Sequence, residues 1–265
     1  MAAELLVTVP LGFGLGFLIG LTGVGGGALV APALYVILGL SYPDSVALSL
    51  IFSIFTKIVG AIQHLRQGTV VWTVTLLYGV SGIPGAVLGS RLIYWAGDTA
   101  ERVAPFVMGA VLLVVALLIL LETLVRNLAA WPKPFSPRDV TLPAAAAIVA
   151  YQLVVGVLMG TTSIGSGSLV VLSMLYLFRM TAQEIVGSNL VIALIMVIPA
   201  GLAHYLSGGV SWALLALLLL GSLVGSALGA RATLWLPDRV LKLAIVVLVV
   251  VAALSTMLKA SRSLP

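Results

Sequence analysis

Lys57 is a cation placed inside an apolar run, residues 45–65. Ionisable groups inside membrane-length apolar segments are rare and by default mark function. Lys57 could neutralise a bound anion, or it could snorkel to the nearer interface eight residues away. Two further stretches combine glycine with small hydroxyls. The first holds Thr22, Gly23, Val24, Gly25, Gly26 and Gly27; the second holds Thr162, Ser163, Gly165, Ser166, Gly167 and Ser168. Each interrupts an apolar helical run, although glycine costs about 1 kcal/mol relative to alanine in a helix interior. Glycines at a break permit positive φ and leave backbone amides uncovered. The second helical piece, beginning near Ala28 or Ser168, then turns free N–H groups and a positive dipole end toward the break, as an anion site requires. The alternative is that the glycines serve only a turn and close packing.

Several other polar residues could line the same space or join helix to helix: Ser49, Ser53, Gln63, Ser188 and Asn189. His64 and His204 stand at matching helix ends, where a histidine could relay a proton or simply cap a C-terminus. Asp44 and Glu184 belong to "SYPD" and "TAQE", capping boxes that open helices, and so read as caps and not as catalytic acids.

Enzyme chemistry finds little support. The glycine run lacks the βαβ setting of a dinucleotide fingerprint, no G-x-x-x-x-G-K-[ST] is present, and the two histidines do not form H-E-x-x-H. No catalytic pair, metal site or cofactor is predicted. With no cysteine, disulfides and thiolate chemistry are excluded.

The elements that position these groups follow from composition. The chain is 62% hydrophobic and 8% charged over 265 residues, with mean hydropathy +1.26. A soluble domain carries about 25% charged residues, so too few are present here to cover a surface facing water. The composition predicts an all-α integral membrane protein. The net charge of +5 is distributed between apolar segments, so it reports orientation and not nucleic-acid binding. Residues 5–21 are apolar, but "MAAE" lacks a basic n-region, so this segment is expected to remain in the mature protein.

A shift of 140 positions aligns the two halves without a gap. Gly16 meets Gly156, Gly20 meets Gly160, Thr22 meets Thr162, His64 meets His204, Trp72 meets Trp212, and Gly85, Gly89 and Arg91 meet Gly225, Gly229 and Arg231. The expected organisation is a first transmembrane repeat over 1–125, a linker over 126–141 and a second repeat over 142–265. Spanning helices need about 20 apolar residues, and 45–65, 70–93, 103–123, 184–205, 210–233 and 239–258 qualify. Residues 5–22 with 28–39, and 142–162 with 168–178, read as broken elements.

If each broken element crosses once, basic residues divide evenly between the two faces. If each is a re-entrant hairpin, the second half is inverted. One face then collects Arg66, Arg126, Lys133, Arg138, Arg179, Arg231, Arg239 and Lys242. The other keeps Arg91, Arg102, Lys259 and Arg262. The positive-inside rule prefers the uneven division. The expectation is therefore two inverted repeats, each a hairpin plus three transmembrane helices, with both termini on the non-cytoplasmic side. Secondary transporters of this build bind substrate where half-helix ends meet. The G-x-x-x-G pairs should permit close helix contact, and Trp72, Trp95, Trp212 and Trp235 fit interfacial belts.

"GFLIGLTGVGGGALVAPAL", with "VALSL", "HLRQGTVVW" and "GIPGAVLGSRL", resembles the TauE/SafE sulfite exporter family, also called toluenesulfonate uptake permeases, over nearly the whole chain. The resemblance implies transport of a small sulfur-containing anion, of sulfite, sulfonate or sulfoacetate type, across a bacterial cytoplasmic membrane. A typical member repeats its glycine run and a following proline in the second half. Here Ser163, Ser166 and Ser168 stand in that region, and Leu172 replaces the counterpart of Pro32. The expected partners are this anion and the bilayer; whether copies of the chain associate is not encoded legibly. The expected activity is alternating-access transport with the anion near Lys57 and between the two breaks. The rivals are an anion channel of the same fold and a membrane-embedded protein without transport.

Overall fold

The structure, a computed structural model, describes residues 2–22, 27–124, 134–137, 139–165, 167–208, 210–232 and 238–262. Of the predicted features, Gly23, Val24, Gly25, Gly26, Ser166, Trp235 and most of the linker lie outside these residues. Among the described residues, ten helices follow in chain order: α1 (Ala2–Thr22), α2 (Gly27–Val36), α3 (Tyr42–Arg66), α4 (Trp72–Ala96), α5 (Asp98–Leu124), α6 (Leu142–Thr162), α7 (Ser168–Leu177), α8 (Ala182–Gly208), α9 (Trp212–Ala232) and α10 (Asp238–Arg262). Seven of them, α3–α6 and α8–α10, are long and apolar enough to cross a membrane. The chain is an all-α integral membrane protein.

Local signals set the helix starts. At α8, Thr181 and Glu184 form a reciprocal capping box: Thr181 N–H donates to Glu184 Oε2 (2.8 Å) and Glu184 N–H donates to Thr181 Oγ1 (3.2 Å). At α3, Asp44 N–H donates to Ser41 Oγ (3.2 Å), while that hydroxyl donates to Asp44 Oδ2 (2.6 Å). Both acids therefore act on helix ends.

Glycine seams join the halves. Cβ atoms added at Gly85 and Gly89 of α4 would strike the α6 backbone at Leu153 and Val157. The counterparts Gly225 and Gly229 of α9 lie on Phe13 and Phe17 of α1 in the same way. Each G-x-x-x-G helix thus packs, backbone to backbone, on the broken helix of the other half. The register rises together in both seams, so α4 and α6 run parallel, as do α1 and α9. Counterpart helices also pack on each other, α3 on α8 and α5 on α10. The α3–α8 pair is antiparallel, with Gly60 beside Leu190 and Gly201 beside Ile51 and Ile54. The α4 helix runs parallel to α8, with Gly79 at Ile195 and Gly208 at Tyr94.

The ends of one broken element lie on the same face. A bridge pairs Phe135, just before α6, with Phe178, just after α7, and Arg179 N–H donates to Phe135 O (3.0 Å). In the other half, Tyr35 near the end of α2 meets Tyr42 at the start of α3 edge-on at 5.9 Å. Lys259 of α10 holds Tyr35 by donating to its carbonyl and lies 4.2 Å from its ring centre. Trp72, Trp95 and Trp212 are exposed at helix ends, where amphipathic rings suit the lipid headgroups.

Candidate functional site

The break between α6 and α7 is built by its own hydroxyls. Thr162 Oγ1 donates to Leu158 O (2.6 Å) and accepts from Ile164 N–H (3.1 Å), which supplies a partner to backbone that has left the helix. Ser163 caps α6 in the left-handed conformation (φ 63°, ψ 4°), with its N–H on Met159 O (2.7 Å). Gly165 follows at φ 129°, a region that side chains rarely adopt. Gly167 carries the first acceptor of α7, receiving Val171 N–H (3.0 Å), and Ser168 opens the helix.

The two breaks meet. Gly27, the first residue of α2, lies so close to Ser163 that an added Cβ would overlap the Ser163 carbonyl and stand 3.1 Å from its hydroxyl. Ser163 Oγ in turn shares a 3.0 Å hydrogen bond with Ser49 Oγ of α3. Tyr42 adds a second tie from α3 by donating to Thr161 O (2.8 Å). Thus α1–α2, α3 and α6–α7 converge at Gly27, Ser49 and Ser163.

Lys57 lies on the same face of α3. Ser45, Ser49, Ser53 and Lys57 recur at four-residue spacing, and all four are buried. Lys57 stands two turns beyond Ser49, about 12 Å along the axis at ~1.5 Å per residue. The structure therefore brings Gly27 and Ser163 into contact and leaves Lys57 further along the α3 stripe that meets Ser163 at Ser49. Ser53 Oγ, between Ser49 and Lys57, is buried without a hydrogen-bond partner. Asn189 Oδ1 on α8 is buried without one as well, whereas Ser188 Oγ accepts Val71 N–H (2.9 Å) and Gln63 is exposed.

The histidines occupy unlike sites despite their matching positions. His64 is half-buried in the last turn of α3, its Nδ1 2.8 Å from Thr69 Oγ1. His204 is fully buried. Its Nε2 lies 2.8 Å from Gly160 O, and because a carbonyl only accepts, Nε2 carries a proton. Its Nδ1 faces Tyr94 OH at 3.2 Å. The cap reading thus fails for His204, whose ring is buried against the Gly160 carbonyl of α6.

Ser49 was legible only as a polar residue on α3, because its partner is 114 positions away. Gln152 is a lone amide within apolar α6, and its sequence signal is that isolation.

The arrangement concentrates donors: two hydroxyls, the amino end of α2 and, along one helix face, a lysine. Such a set suits an anion. Among the described residues, no group of three or more His, Asp and Glu is placed to hold a metal.

Comparison with known proteins agrees with this architecture. A family model described as sulfite exporter TauE/SafE matches residues 8–256. A relative in Bacillus subtilis (strain 168), named "Probable membrane transporter protein YjnA", is 33% identical over 227 residues, covering 84% of this chain and 88% of its own. A second from the same organism, "Probable membrane transporter protein YdhB", is 26% identical over 91% of this chain and 96% of its own. A Xylella fastidiosa (strain Temecula1 / ATCC 700964) "Probable membrane transporter protein" is 26% identical over 85% of this chain and 84% of its own. No solved structure matches. This chain belongs to the TauE/SafE sulfite exporter family and is a multi-pass membrane transporter of that family.

Proposed function

We propose that the protein is a secondary carrier of a small sulfur-containing anion, built from two inverted repeats and working by alternating access in a bacterial cytoplasmic membrane. The observation that carries this reading is the contact of Gly27 with Ser163, where the broken elements of the two halves meet. The break amides and the hydroxyls of Ser163 and Ser49 would donate to the oxyanion, and Lys57 would supply the compensating charge. No step needs an enzyme-like pair of groups.

Inversion is supported by helix direction. Counterparts α3 and α8 are antiparallel, and α1 and α6 each follow the G-x-x-x-G helix of the opposite half. The class of anion is taken from the family and from the donor set. The uneven distribution of basic residues supports both termini on the non-cytoplasmic side.

Alternating access is supported by an inequality between equivalent places. Where α8 faces the α3–α4 connection, Val71 N–H bonds Ser188 Oγ, and Gly187 is packed against Thr69 and His64. The counterpart place, where the start of α3 faces the α8–α9 connection, is a cleft of about 250 Å³ lined by Asp44, Leu48, Val210, Ser211 and Leu214. A cleft at one place and a hydrogen-bonded contact at its equivalent would fit a carrier that opens its two faces in turn. A pore open at both ends would leave the two alike.

Flux into proteoliposomes tests the reading with sulfite, methanesulfonate and sulfoacetate as probes. Saturable uptake that is accelerated by the same anion on the far side supports a carrier. Unitary currents would establish a channel, and absence of flux for every anion would overturn the proposal.

A further inference from the structure

A second polar cluster lies between α4, α6 and α7, away from the Gly27–Ser163 contact. Gln152, Tyr78 and Thr75 are fully buried. Neither amide atom of Gln152 has a hydrogen-bond partner, nor does Thr75 Oγ1, while Tyr78 OH lies beside the Ser173 hydroxyl of α7. Their common height follows from the α4–α6 seam. Gly156 lies on the Gly82 carbonyl, and Gln152 and Tyr78 each stand one turn before those residues on parallel helices. Thr75 lies one turn before Tyr78 on α4. Across α7, the Phe178 ring packs edge-on to Tyr78 at 6.1 Å.

The fold does not need these polar groups. At the 140-residue offset, Gln152 corresponds to Gly12, Tyr78 to Leu218 and Thr75 to Leu215. That second seam is packed tightly, with Gly12 on the Leu218 backbone and Leu215 buried. The same helix pairing is therefore made elsewhere in the molecule without an amide or a hydroxyl at these positions. Buried polar groups without partners are costly and call for a ligand or water.

The donor balance and the location identify the ligand. The amide offers two N–H groups and Thr75 a hydroxyl, with the Tyr78 hydroxyl shared with Ser173, against a single obligatory acceptor of the unpaired set, Gln152 Oε1. No ionised group belongs to the cluster, so it would hold an oxyanion by neutral donors. Thr75 begins one turn inward from Val71, whose N–H closes this face on Ser188. An anion moving toward that face would meet the cluster immediately before the closure.

We propose that Gln152, Tyr78 and Thr75 form a neutral hydrogen-bonding subsite for the transported oxyanion, occupied as it passes between the Gly27–Ser163 region and the α3–α4 face. The subsite rests on the carrier reading given above. Gln152→Leu, Tyr78→Phe and Thr75→Val remove the polar atoms at nearly constant volume. In proteoliposomes made with the full chain, the KM for sulfite and methanesulfonate should rise at least tenfold in Gln152→Leu and severalfold in Tyr78→Phe. The thermal midpoint of both variants without anion should be unchanged or higher, because orphaned buried groups have been removed.

Unchanged KM in variants that keep their midpoint would reduce the cluster to an ordered-water site and overturn the subsite while leaving the carrier intact. If Gln152→Leu fails to fold, Tyr78→Phe decides alone, and an unchanged KM there overturns the proposal. No flux of either anion by the unsubstituted protein would overturn the carrier reading and the subsite with it.

Discussion

Gly27 of α2 rests against the backbone carbonyl of Ser163, bringing the first helical residue after the break of one element onto the break of the other. The contact leaves no space for a side chain at position 27. Gly27→Leu should force the two breaks apart. Overpacking of this kind costs about 1–3 kcal/mol, and it should abolish anion flux even in protein that still inserts. Normal flux with an unchanged melting midpoint would contradict the contact.

Ser49 and Ser163 share the hydrogen bond that holds α3 to the same break. Ser49→Ala and Ser163→Ala should each destabilise by about 0.5–1.5 kcal/mol. The double variant should cost less than the sum, with a coupling of about 0.5 kcal/mol or more. Chemical or thermal unfolding of all four species in detergent measures the cycle.

The G-x-x-x-G seams should be equivalent in energy because they are equivalent in geometry. Gly85→Leu and Gly225→Leu each insert a side chain into a helix backbone, at Leu153 and at Phe13. Both should lower the melting midpoint of the purified protein and reduce the properly folded fraction recovered from membranes. Half-buried Gly14, where an added Cβ would meet nothing within 4 Å, should accept alanine with little change.

The histidines should separate in a substitution test. His204→Ala removes the donor to Gly160 O from a fully buried site, so it should cost about 1–3 kcal/mol. His64→Ala removes a half-buried contact with Thr69 and should cost no more than about 1 kcal/mol. Equal losses would contradict the difference in burial.

Lys57→Ala should weaken anion affinity in the flux assay by at least tenfold, while Lys57→Arg, which keeps the charge, should recover part of it. The change is read as KM against maximal rate. Loss confined to expression, with normal KM in the surviving protein, would assign Lys57 a packing role.

Class and segmentation were legible in the sequence because they depend on local composition and periodicity. The scarcity of charge demanded a membrane, the 140-residue offset revealed the duplication, and "SYPD" and "TAQE" placed two helix starts where the capping bonds are found. The glycine runs announced breaks because glycine is disfavoured in a helix interior. Partnership was not legible. The packing of α1 on α9 and of α4 on α6 joins residues more than 60 positions apart, and the near-uniform apolar surface of these helices carries no stripe to point at a partner. In lipid, apolar surface does not select between neighbours, so close backbone fit and hydrogen bonds decide the pairing. The duplication implied that His64 and His204 were alike, and only tertiary contact separated them, one at a helix end and the other buried on the Gly160 carbonyl. The same contacts leave a cleft beside Asp44 and Ser211 and join Val71 to Ser188 at the equivalent place. A repeated sequence encodes two like halves; how they pack decides which equivalent residues become unlike.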